Sequence, residues 1–154
     1  MARVGENAAG SMMKPTGTPE RVFAAFVKPE LFGNHSVYLV NNTPVHYARV
    51  VALTGMFASV DGGLVESTHA RTERGALPPH SAILLEEGPA WELDFNIWYN
   101  LDLVPADPAR PPKRVWFQFG RLHFARLGDP ALLPVLDRDG WAIELTPRED
   151  SSEL

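Results

Sequence analysis

Between Trp91 and Val104 the chain reads WELDFNIWYNLDLV, apolar and polar residues alternating almost without a break. Side chains alternate across a strand. Trp91, Leu93, Phe95, Ile97, Tyr99, Leu101 and Leu103 therefore share one face, and Glu92, Asp94, Asn96, Trp98, Asn100 and Asp102 share the other. A helical period does not accommodate this pattern. The first row must be core, each side chain being worth roughly 1.5–3 kcal/mol when fully buried. The second row faces outward, and Trp98 is its anomaly.

The pattern resumes after the loop PADPARPP in KRVWFQF, where Val115, Phe117 and Phe119 fall on one face. Pairing the two strands as a hairpin with the odd-numbered core rows together also brings the even rows together. Trp116 and Gln118 then stand on the same outer face as Trp98, with Arg114 near the carboxylates. Past Gly120 the pattern shifts phase to Leu122 and Phe124, as across a bulge.

The rest of the chain reads as short elements. The 14 prolines and 12 glycines fall between apolar runs, which favours many short strands over a few long helices. SVYLVNN and PVHYARVVAL are strands, the second extending through TGMFAS past a bulge or bend at Gly55. Asp61-Gly62 with Gly63 marks a turn into LVESTHART. HSAILLEE is apolar on both faces, as in a strand buried on both sides or at the edge of the core. GDPALLPVL reads as a loop with one turn of helix, and Asp139-Gly140 introduces the last strand, WAIEL. Near the amino terminus Thr18 can cap and Pro19 can start a two-turn helix to Val27, its Val and Phe positions at helical spacing; an extended segment laid along a sheet competes with it. The expected fold is all-β, an antiparallel β-sandwich of about seven strands, immunoglobulin-like or jelly-roll-like. At 154 residues and 45% hydrophobic the chain suits one domain, 19–147, able to bury a core without staples. Residues 1–18 read as a disordered lead in which Gly10-Ser11-Met12 resembles a cloning scar ahead of a start methionine, a native tail being the alternative. The polar segment 148–154 is expected to fray.

A net charge of −5 argues against a nucleic-acid backbone binder, which needs clustered Lys and Arg. The absence of cysteine removes disulfides, thiolate metal sites and thiol catalysis. No membrane span or secretory signal is read from the sequence, so the expected location is the cytoplasm. No cofactor motif occurs, and Ser59, Ser67 and Ser81 lie in no nucleophile elbow. Glu86-Glu87 is better explained as a strand end entering a turn than as an acid and base pair.

Trp98 and Trp116, ringed by Asp94, Asn96, Asn100, Gln118 and Arg114, form an aromatic platform with hydrogen-bonding groups, a surface for a partner protein, a second copy of the chain, or a glycan. The plainer account is that another element of the chain, the Phe23 and Phe26 segment or a loop, covers Trp98. Carboxylates on alternate positions of one strand stand too far apart to wrap a calcium ion, so they read as a solvated face with Arg114 or Arg121 as partners. Of the five histidines, His46, His69, His80 and His123 could in principle converge with a carboxylate on a metal, but none shows zinc-motif spacing. The sequence thus points first to a non-enzymatic interaction domain, with a metal-dependent enzyme and a carbohydrate-binding module as alternatives.

Overall fold

In the computed structural model, which describes residues 20–29, 33–60, 63–66, 69–88, 96–120, 128–149 and 154, the segment Arg21–Val27 is a strand, β1, and not a helix. Its sequence, RVFAAFV, is apolar at nearly every position because both faces are covered. Val22, Ala24 and Phe26 join the main core, while Phe23, Ala25 and Val27 join a second apolar cluster behind it. A continuous apolar run satisfies helical and extended spacing alike, which is why the two could not be told apart by period.

β1 is central in a five-stranded sheet ordered β6 (Ser81–Gly88), β2 (His35–Asn42), β1, β10 (Arg138–Ile143) and β9 (Ala131–Leu133). The second sheet runs β11 (Thr146–Pro147), β8 (Lys113–Phe119), β7 (Asn96–Pro105), β3 (Tyr47–Val60) and β4 (Gly63–Glu66), with β5 (Ala70–Leu77) also paired to β3. All pairings are antiparallel, and the two sheets enclose one core as a β-sandwich. The described residues hold ten strands and a two-residue β11, where about seven strands were expected. The excess comes from β1, read above as a helix or an extended segment, from splitting LVESTHART into β4 and β5, and from β9. The segment GDPALLPVL contributes β9 and a turn, where a turn of helix was expected. None of the described residues forms a helix long and apolar enough to cross a membrane.

The inner faces follow the parity read from the sequence. Ile97, Tyr99, Leu101 and Leu103 of β7 and Val115, Phe117 and Phe119 of β8 are all buried. Tyr99 and Phe117 stack with centroids 5.3 Å apart. The Tyr99 hydroxyl lies 2.8 Å from Glu86 Oε1 and 3.0 Å from the Leu85 carbonyl, so this phenol crosses the core to the edge strand of the other sheet. Burial, reinforced by the Glu86 carboxylate, pushes its ionisation well above the usual phenol range. Trp91, Leu93 and Phe95 of the same row lie outside the described residues, as do Leu122 and Phe124.

β3 continues through Gly55 in register; its irregularities fall between Tyr47 and Val51 instead. Asn41, fully buried at the end of β2, holds the adjoining loops. Its amide nitrogen lies 2.8 Å from the Val45 carbonyl, 3.2 Å from that of Leu77 and 3.0 Å from that of Pro78, and its Oδ1 accepts from Thr43 N and Oγ1. Gly140 pairs with Val27 at a close approach, since a Cβ there would lie 2.2 Å from the Phe26 carbonyl oxygen.

Candidate interaction face

The outer face of the larger sheet is built in three rungs, set by register. Gly55, Trp98 and Gln118 form the first, Leu53, Asn100, Trp116 and Thr146 the second, and Val51, Asp102 and Arg114 the third. The even rows of β7 and β8 share this face, and Trp98 and Trp116 occupy adjacent rungs on neighbouring strands.

The first rung explains the anomalous tryptophan. Gly55 directly opposes Trp98, and a Cβ at that glycine would stand 2.6 Å from the indole Cζ2. The indole lies over a position that has no side chain. His69, just ahead of β5, meets it edge-on, with centroids 4.9 Å apart and planes at 85°. Thr54 Oγ1 donates to the Trp98 carbonyl at 2.8 Å. An aromatic ring lying across an opposing glycine restores the contact area that the glycine gives up. Trp98 is thus half-buried by its own sheet. The Phe23 and Phe26 segment, named above as a possible cover, belongs to the opposite sheet.

On the second rung Trp116 is 37% exposed, between half-buried Asn100 and exposed Gln118. Asn96 is half-buried opposite Phe57. Asp94, Glu92 and Arg121 lie outside the described residues.

The third rung departs from expectation. Asp102, read as part of a solvated carboxylate face, is buried, its side chain only 3% exposed. Arg148 Nη2 donates to Oδ1 at 2.7 Å, Arg114 Nε stands 3.7 Å from the same oxygen, and Leu154 N donates to Oδ2 at 3.0 Å. Arg148 Nη1 also donates to the Leu101 carbonyl at 2.8 Å and reaches that of Val115 at 3.3 Å. Arg71 Nε donates to the Leu154 carbonyl. Thr146 and Pro147 pair with β8, Arg148 N bonds the Arg114 carbonyl, and Arg148 and Leu154 converge on Asp102. A buried carboxylate needs such partners, because an unpaired one costs several kcal/mol. An aspartate in an alternating strand gave no sign of this, since its partners lie 46 and 52 residues away.

Among the described residues the histidines do not assemble. His46, His69 and His80 are exposed on three separate connections, and His123 lies outside the described residues. His80 sits at φ 51° with Nδ1 3.4 Å from Asn42 Oδ1. His35, buried against Phe26 and Phe119, packs as an aromatic ring. Among the described residues no three His, Asp or Glu side chains group to hold a metal ion. Compared with known proteins, the chain matches no family model and no curated protein.

Proposed function

We propose that the protein is a non-enzymatic interaction domain whose β7–β8 outer face docks a protein partner, with a second copy of the chain as the occupant to test first. The observation that carries this reading is the exposed indole of Trp116, set among Asn100 and Gln118 and beside a Trp98 packed over Gly55 and against His69. Tryptophans ringed by polar groups that exclude water are the commonest energetic centres of protein interfaces. A neighbour already packed in place lowers the ordering cost of docking. The cytoplasm is the location proposed.

Sedimentation velocity over a range of concentrations tests the reading. The expected result is concentration-dependent dimer formation by the wild type, lost in Trp116→Ser with the thermal midpoint unchanged. A wild type that stays monomeric throughout rejects self-association. Quenching of Trp116 fluorescence by members of a glycan panel would then move the same face to carbohydrate binding.

A further inference from the structure

The end of the sandwich holds a second, unrelated feature. The β2–β3 connection, residues 43–46, and the β7–β8 loop, residues 106–112, meet there, tied by the Ala106 N to His46 O hydrogen bond of 2.9 Å and by the cross-strand pair Tyr47 and Pro105. Two adjoining depressions of about 330 and 360 Å³ open between them. The first is walled by Tyr47, Pro105, Pro111 and Pro112, with Arg110 and Lys113 at its rim. The second takes in His46 and Asp107, and Val45 and Arg110 belong to both. These volumes fall at the small end of ligand pockets, which are apolar with a few convergent polar groups. Loops at the ends of a sandwich are where such folds commonly bind ligands.

Both loops are held in place before any ligand arrives. Asp107 accepts from Ala109 N at 2.9 Å through its side chain and from Arg110 N at 3.1 Å through its carbonyl, which fixes the turn that carries Arg110. On the other side Val45 N is held by Thr43 Oγ1 at 3.1 Å and Val45 O by buried Asn41. Prolines stiffen the wall further. Preorganisation of this kind reduces the ordering cost of binding.

The charges are the decisive part. Arg21, Arg49, Arg114 and Arg148 are each paired with a carboxylate, on Glu144, Glu73 and Asp102. Arg110 and Lys113 form no ion pair among the described residues, although the chain carries a net charge of −5. Asp107, the nearest acid in the loop, has its Oδ1 engaged by a backbone amide. Two uncommitted cations at the rim of an apolar cleft match an anion attached to an apolar body. We propose that this cleft is a binding site for a small aromatic carboxylate, the carboxylate on Arg110 with Lys113 beside it and the ring against Tyr47 and the prolines. Burial raises the Tyr47 hydroxyl above its usual range, with the Arg110 charge acting in the opposite direction, so this phenol stays neutral beside the cation.

The test is a titration of the full chain, followed by amide NMR, with 2-naphthoate and its neutral isostere 2-naphthamide. Naphthoate should shift the Val45, Tyr47, Ala106 and Lys113 amides saturably and bind about tenfold or more tightly than the amide, as charge-assisted pairing to Arg requires. Arg110→Gln, on an exposed loop, should remove most of that preference without moving the thermal midpoint, and should leave naphthamide binding unchanged. Equal binding of the two probes, shifts confined to another surface, or no saturable shift would each overturn the proposal.

Discussion

The two outer faces of this sandwich are covered in opposite ways. Behind β1, Phe23, Ala25, Val27 and Val40 are buried in one apolar cluster with Leu133 of β9, against which Leu136 of the following turn also packs. That turn holds Val135 at φ 71°, an unfavourable conformation for a β-branched residue, which the Leu136 N to Pro134 O and Asp137 N to Leu133 O bonds enforce. The apolar cover is thus assembled at the expense of local strain. Over β7 the cover is ionic: Asp102 gathers Arg148, Arg114 and the Leu154 amide. An apolar cover stabilises in proportion to the area it removes from water, whereas a buried ion pair contributes little net and is costly mainly when half of it is removed. The first face is closed along β1, and the second keeps an open strip at Trp116.

The largest effect should come from the apolar side. Phe23→Ala removes a fully buried ring, and with it the contact that the Arg21 guanidinium makes 4.8 Å from the ring centroid, and should cost about 3–5 kcal/mol in urea unfolding. A loss below about 1 kcal/mol would mean the outer cluster collapses freely, and the contrast with the ionic face would fail. On that face Asp102→Ala strands the Arg148 guanidinium, which is itself only 9% exposed, and should cost about 3 kcal/mol. Arg148→Ala alone should also destabilise, and the double variant should cost clearly less than the sum of the two. Additivity would show that Arg148 is held by the Leu101 and Val115 carbonyls and not by the carboxylate.

What the sequence showed was what strand parity can carry. The inner rows of β7 and β8, the shared outer face of Trp98 and Trp116, and the proximity of Arg114 to an aspartate all follow from alternation and one hairpin register. Contacts that depend on chain segments far apart were not legible. Gly55 reads as a bulge in isolation, and only its position opposite Trp98 reveals it as a seat for the indole. Asp102 looks like every other outward carboxylate of its strand until Arg148 arrives from beyond β11. β1 was ambiguous for another reason: a strand covered on both faces has no alternation to read.

Smaller effects separate the two tryptophans themselves. Gly55→Ala places a methyl group in the space the indole occupies, so Trp98 must swing away from the sheet and from His69. The expected cost is about 1–3 kcal/mol, with a red shift of the Trp98 emission as it enters water. Trp98→Ser exposes Gly55 and should cost a similar amount. Trp116→Ser, at the 37% exposed position, should change stability by no more than about 0.5 kcal/mol. The three variants together decide which indole is architecture and which is surface. If Trp116→Ser were the more destabilising, the open strip would be part of the fold, and the proposed docking face would lose its centre. If it is silent in unfolding yet abolishes dimer formation, the same measurement assigns Trp98 to holding the platform and Trp116 to the contact.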